Sequence, residues 1–420
     1  MARNPLQHWH FHKSPSQRIN KDVLVLGAGI AGCTTAAALK KRGFHVTIID
    51  RHSTAGCEGS GNRQAIVYPK LSPRDDLLPR VNLAAMQFAS TYYQPFWQQG
   101  FGEQCGVMLL PENARAQKDF NAIGQRFQNQ PELVQFLGNS QLCESAGLEL
   151  KAEIGLFFPK LGWLPPAEIC QQLLMQQQIP LISADIHQLE YQNQCWHLLN
   201  AQRELISSAE TLIIANAYGC QQFSQTAFLP VTQLRGQVTD LPASPASRFL
   251  KTVICGQGYI TPEREGRHSC GATYNKGLFT TEVRDADHQS NIDQIGATDA
   301  ALGALLGAQT LSQVQGRANY RCTTKDYLPI VGAVPELAEF IRDFEQLRKD
   351  ARADITSGGS YLPNLYVNCG MGSRGLSYAP LTSELLAAEI AGEEPLINQE
   401  LRLAMHPARF IVRDLKKKRI

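Results

Sequence analysis

The chain is 420 residues long, 43% hydrophobic and 19% charged, with a formal net charge of +2. That length holds two or three domain-sized units, the composition supports a large core, and the balanced charge excludes a chain held to its partners by net charge alone. Eleven cysteines without a CxxC pair argue for reduced thiols rather than a disulfide framework; with no signal-peptide core and no long apolar run, the expectation is a cytoplasmic protein outside any membrane.

Residues 1–20, with their prolines and polar run, read as a linker-like segment. His8, His10 and His12 alternate there without a cysteine or carboxylate partner, so no metal site is expected. From Val23 a buried strand runs into Gly27-Ala-Gly29-Ile-Ala-Gly32, then an alanine-rich helix to Arg42 and a second strand, 45–49, ending on Asp50. Gly27 makes the tight turn, Gly29 lets the backbone approach a pyrophosphate, and Gly32 lets helix and strand pack closely. The pyrophosphate would sit on the helix N-terminus, where free N–H groups and the helix dipole favour negative charge. Asp50 follows Gly32 by 18 residues, near the offset of about 20 expected for a ribose-binding carboxylate. An ordinary turn carries glycines, but not strand, helix, second strand and acid together. A dinucleotide site is therefore expected.

In the next loop, Ser60, Gly61, Asn62 and Arg63 are small or polar and are expected to line the cofactor. Helices are expected over 75–98, 115–129 and 165–178, the last opened by proline, with strands over 103–110 and 211–215. Cys33 and Cys57 read as small packed thiols. From 231 to 321, strand-like runs (231–240, 252–261, 268–274) are interrupted only by an alanine-rich helix near 297–308, which implies an antiparallel, substrate-facing sheet. The chain then returns to α/β with a strand at 364–368, a turn containing Gly370, Gly372, Ser373, Arg374 and Gly375, and a helix over 376–391. A second anion-binding turn some 340 residues from the first suits a cofactor gripped from both ends of the chain, which favours FAD over NAD. The expected fold class is thus α/β: a discontinuous Rossmann-like FAD-binding part (21–230 and 322–408), an inserted antiparallel-sheet substrate domain (231–321) and a basic C-terminal tail (409–420).

Gly59-Ser-Gly-Asn-Arg-Gln-Ala-Ile-Val-Tyr-Pro69, Gly162-Trp-Leu-Pro-Pro166, Leu234-Arg-Gly-Gln237, Arg321-Cys-Thr-Thr-Lys-Asp-Tyr-Leu-Pro-Ile-Val-Gly332 and Gly372-Ser-Arg-Gly-Leu376 carry a resemblance spanning about 20–415. The chain resembles the FAD-dependent amine oxidoreductases of the D-amino-acid-oxidase and glycine-oxidase type. More closely, it resembles the flavin half of the bifunctional tRNA 5-methylaminomethyl-2-thiouridine biosynthesis proteins. It departs from them in one respect, since nothing here corresponds to their methyltransferase. The resemblance implies oxidative removal of the carboxymethyl group from 5-carboxymethylaminomethyl-2-thiouridine, with release of glyoxylate. It implies tRNA as partner, met at its anticodon loop, and a methyltransferase domain or protein acting on the product. Oligomeric state is left open.

In such chemistry the flavin carries the redox step while the protein orients a CH2 group and holds a carboxylate. Arginine suits a carboxylate because its planar fork meets both oxygens. By resemblance Arg321 takes that role; the other reading is an ion pair with Asp326. Arg235 is a further candidate, and Arg374 would serve the flavin or its own loop. Tyr259 resembles an active-site tyrosine, or is a core residue with one wet end. The basic cluster Arg409, Arg413 and Lys416 to Arg419 suits phosphates, or serves only solubility. The alternative function is a small-molecule amine oxidase acting on glycine, sarcosine or a D-amino acid.

Overall fold

Strands with mostly apolar, buried centres build the sheet that carries the cleft. The computed structural model describes residues 8–12, 20–306 and 311–420. Six strands run in the order Ile330–Pro335, Tyr361–Cys369, Thr211–Ile214, Asp22–Leu26, His45–Asp50 and Leu181–Ser183. All neighbours are parallel except the first pair. Every residue of Thr211–Ile214 is buried, as a strand covered on both faces requires. Helices Ile30–Lys40 and Gly375–Ala391 lie side by side on the sheet and are buried almost all round. Their alanines, glycines and small hydroxyls permit the close approach, and Ser383 Oγ lies 2.7 Å and 2.9 Å from the hydroxyls of Thr34 and Thr35.

A larger sheet of eight strands stands opposite, in the order Gln315–Thr324, Val231–Pro242, Arg267–Gly271, Tyr259–Ile260, Val253–Cys255, Val107–Leu109, Ile154–Phe158 and Gln135–Gly138. Three of these strands come from before residue 231, and Val253–Cys255 pairs with Val107–Leu109 in parallel. The sheet expected over 231–321 is therefore not a simple insertion of that segment. Its far edge is contributed by a segment that reads, in sequence, as part of the dinucleotide half.

Helix Asp285–Thr298 covers this sheet and is followed by Ala300–Leu306; the expected end at 307–308 lies outside the described residues. The helix begins earlier than its alanines suggest, because its first turns bury polar side chains against the strand. Asn291 donates to Thr239 Oγ1 at 2.9 Å, and Asp287 pairs with Arg235 at 2.7 Å.

Two terminal expectations change. Of the linker-like segment, residues 8–12 are docked: Trp9 is buried with Phe340, Phe344 and Ile411, Gly359 N–H donates to the Phe11 carbonyl at 2.8 Å, and the Tyr361 hydroxyl donates to the Trp9 carbonyl. Residues 1–7 and 13–19 lie outside the described residues. The basic tail opens as a helix, Arg409–Lys416, that buries Phe410, Ile411, Val412 and Leu415. Arg409 is spent on Asp326, with Nε and Nη2 donating to its two oxygens at 3.0 Å and 3.1 Å. Only Lys417, Lys418 and Arg419 of the cluster stand exposed. Among the described residues, no helix is long and apolar enough to cross a membrane.

Candidate active site

A cleft of about 960 Å³ opens between the two large sheets. That is at the upper end of the roughly 300–1,000 Å³ typical of small-molecule sites. Its floor is the first glycine turn. Gly27 has φ +113°, and a Cβ there would stand 2.7 Å from the Ala215 carbonyl, so any side chain would collide with the neighbouring strand. Gly32 does not reach the cleft; a Cβ there would overlap the Gly27 carbonyl, which is the packing role expected of it. Gly29 is the N-cap of helix Ile30–Lys40 and brings no side chain of its own, and the first turn carries no acid. Ser60 Oγ accepts from Ile30 N–H at 3.0 Å, tying the second loop to the helix start. The Asp50 carboxylate, also in the cleft, is held by N–H groups of Ala28 at 2.7 Å and His52 at 2.9 Å.

The second glycine turn meets the first across this floor. Gly370, Gly372, Ser373, Arg374 and Gly375 all line the cleft, and Gly370 and Gly372 have φ +74° and +59°. Helix Gly375–Ala391 starts there, again without a side-chain cap or an early acid. Asn62 lines the cleft beside Ser60, whereas two loop neighbours do not. Gly61 lies under the Arg317 guanidinium. Arg63 turns away to the Arg264 carbonyl at 2.8 Å and Glu265 at 2.6 Å, because those acceptors satisfy its charge outside the cleft. Cys33 is buried, but Cys57 is exposed and lines the cleft rather than packing.

The wall opposite the glycine turns carries Arg321 and Tyr259. Arg321 extends over Gly236, where a Cβ would stand 1.9 Å from its Nη1, so only glycine leaves room for the guanidinium. One N–H donates to the Thr273 carbonyl at 2.8 Å, and the ring of Tyr274 lies 4.4 Å away. Asp326 does not pair with Arg321; it belongs to Arg409. Arg321 thus keeps donors for a ligand. Arg235 points to the other face of the sheet and is sealed in the Asp287 network, so it is not a clamp for anything in the cleft. Burial holds the Tyr259 hydroxyl well above the ordinary phenol value, the Arg321 charge opposing, and does the same to Tyr68.

Asn216, Asn368, Tyr68, Lys70 and Tyr274 also line the cleft, and sequence reasoning gave none of them a role. The Oδ1 atoms of Asn216 and Asn368 are buried without a partner among the described residues. Two helix starts without an acid in the first turn, glycines that a side chain would obstruct, and two orphaned amide oxygens form a cradle suited to a dinucleotide with a polar ring system.

The comparisons agree with that geometry. Residues 22–389 match the family model described as FAD dependent oxidoreductase. The chain belongs to this family, and its cofactor is FAD. It is 36% identical over 398 residues to the tRNA 5-methylaminomethyl-2-thiouridine biosynthesis bifunctional protein MnmC of Pseudomonas putida (strain GB-1), covering 94% of this chain and 60% of that protein. The MnmC protein of Saccharophagus degradans is 36% identical over 424 residues, covering 100% and 60%. The chain therefore spans about 60% of the length of these curated relatives. Among solved structures, glycine oxidase from Geobacillus kaustophilus superposes with a TM-score of 0.71 at 18% identity, covering 90% of this chain and 96% of that one. The shared fold is mixed α/β with several sheets.

Proposed function

We propose that this flavin enzyme acts on a CH–NH group of tRNA, oxidatively removing the carboxymethyl group of 5-carboxymethylaminomethyl-2-thiouridine to leave 5-aminomethyl-2-thiouridine and glyoxylate. The observation that carries this is 36% identity along essentially the whole chain to proteins named for that modification pathway, with an arginine that pairs with no acid among the described residues facing the flavin cradle. Such a substrate places the reaction in the cytoplasm, with a methyltransferase activity downstream.

FAD, when bound, would supply the two-electron acceptor for hydride loss from the glycine-like CH2, and water would split the resulting iminium into glyoxylate and amine with one proton released to solvent. The remaining work belongs to the chain. Gly27, Gly29 and the starts of helices Ile30–Lys40 and Gly375–Ala391 would hold the pyrophosphate, and Asp50 a ribose hydroxyl. Gly370, Gly372, Ser373, Arg374 and Gly375, with Ser60 and Asn62, would hold the flavin side. Arg321 would receive the substrate carboxylate and so fix the CH2 against the ring, while Tyr259 walls the site and limits water. The neutral amine needs no dedicated base. Gly61 and Arg63 have no share in holding the cofactor, and Gly32 supports the turn from behind.

Anaerobic mixing of the purified flavoprotein with tRNA carrying the carboxymethylaminomethyl group tests the reading. Bleaching of the flavin band with this tRNA, and formation of glyoxylate, is the expected result. Glycine-oxidase likeness in fold makes a small-molecule amine oxidase the second reading. Bleaching by glycine or sarcosine and not by tRNA would replace the first with the second.

A further inference from the structure

Two exposed side chains of the cleft, Tyr274 and Lys70, stand outside the glycine turns and the arginine clamp. Tyr274 lines the cleft yet is 61% exposed. Its position is fixed from both sides, since Thr273 N–H donates to the Gln237 carbonyl at 3.2 Å and Asn275 N–H to the Arg235 carbonyl at 2.9 Å. Buried Arg235 then ties down the following stretch through the carbonyls of Thr280 and Glu282. The ring packs against the Arg321 guanidinium and leaves the rest of its surface to water, on a backbone that is already immobilised. Lys70 is the second group. It is exposed, lines the same cleft, and forms no ion pair among the described residues. Partial burial and the nearby Arg374 charge push its ammonium below the ordinary lysine value, with Glu112 opposing. Like charges side by side in a partly dried cleft mark a place for an anion.

We propose that Tyr274 and Lys70 form a seat for single-stranded RNA, in which a base stacks on the open surface of Tyr274 and a backbone phosphate lies on Lys70. The inference rests on the tRNA reading above and gives it a recognition device. A free amino acid is too small to use a stacking platform and an outer cation together. Unstacked loop bases, by contrast, are commonly recognised by aromatic rings and paired cations. The rim also explains how a nucleotide could be admitted to Arg321, because Tyr274 touches both the arginine and the outside.

The test uses the full flavoprotein and a dye-labelled anticodon stem-loop with plain uridine at the wobble position. That probe has no carboxylate for Arg321, so its affinity reads the rim and not the clamp. Tyr274→Ala is expected to weaken binding about tenfold, in keeping with stacking contributions measured by alanine substitution. Tyr274→Phe should restore most of the affinity, since the ring rather than the hydroxyl is used. Lys70→Gln should lower the slope of log affinity against log salt by about 0.7, the value for one phosphate on a single strand. Flavin content and melting temperature are recorded for each variant. Unchanged affinity in Tyr274→Ala, equal losses in Tyr274→Ala and Tyr274→Phe, or a parent protein that ignores the stem-loop would each overturn the seat. Parent flavin bleaching by the modified tRNA separates the two levels. If bleaching persists, only the seat is lost; if it is absent, the tRNA reading falls.

Discussion

Arg235 and Arg321 stand on neighbouring strands, one residue out of register, with Leu234 opposite Arg321 and Arg235 opposite Tyr320. One is wholly buried and met by Asp287, Asn275, Gln237 and two carbonyls. The other reaches across a glycine into the cleft with a single carbonyl and an aromatic face. The same side chain therefore serves as a rivet on one face of a sheet and as an open receptor on the other. What decides is whether the surrounding chain has already supplied the anion. A buried arginine without acceptors is too unfavourable to keep, while a cleft-facing one retains its donors for a ligand.

Exchanging the two by mutation gives the largest expected contrast. Arg235→Met leaves Asp287 buried and unpaired, which should destabilise the protein by about 3–5 kcal/mol in urea unfolding. Arg235→Met combined with Asp287→Leu should recover a good part of that loss. Recovery of nothing would show that the bonds to the loop carbonyls, rather than the ion pair, account for the loss. Arg321→Met should do the reverse, leaving flavin content and unfolding nearly unchanged but slowing anaerobic flavin reduction about 100-fold or more, as expected for losing a charged hydrogen-bonded contact. A variant that still reduces its flavin at the parent rate would remove Arg321 from the reaction. A smaller effect, about tenfold or less, is expected for Tyr259→Phe, which keeps the apolar wall and deletes one hydroxyl. Stopped-flow reduction rates at saturating and limiting substrate check it.

Arg409 offers a third member of the comparison, a rivet whose partner titrates. Burial alone would raise the Asp326 carboxyl, but the Arg409 bonds hold it below the ordinary carboxylate value. A depressed folded value means that this contribution is fully present above the unfolded value of about 3.9 and is lost as pH falls through the lower folded value. Acid unfolding below about pH 4 should therefore be shallower in Arg409→Met than in the parent, measured by circular dichroism. Identical acid limbs would mean that the pair does not contribute in that range.

What is legible in the sequence follows from distance along the chain. Both glycine turns, with their helices and Asp50, are readable because each is a local pattern whose geometry is set within one βαβ or strand–turn–helix unit. Arg321 emerges from resemblance, not from spacing, and the structure adds the reason it stays open: Asp326, its neighbour in sequence, belongs to Arg409. Arg63, expected from sequence to line the cofactor, turns instead to Glu265, a partner some 200 residues away that no local pattern reveals. The strands Val107–Leu109, Gln135–Gly138 and Ile154–Phe158 join the opposite sheet for a similar reason, since pairing partners leave no mark on a single strand. Helix Asp285–Thr298 is hidden by polar residues that are buried rather than solvated. Asn216 and Asn368, unremarkable as letters, become visible only as amide oxygens without partners.

The position of Thr211–Ile214, between Asp22–Leu26 on one side and Tyr361–Cys369 on the other, also governs how the chain is made. During synthesis Asp22–Leu26 and Thr211–Ile214 both precede Tyr361–Cys369, so one edge of the strand stays open until that later segment has left the ribosome. An apolar edge exposed for that interval is a template for unwanted pairing, and long-range parallel closure is slow. The flavin cradle inherits the same schedule, because its second glycine turn directly follows Tyr361–Cys369. A ribosome-stalled chain ending before Tyr361 lacks both this strand and the second glycine turn, and should bind no flavin and partition to aggregates or chaperones.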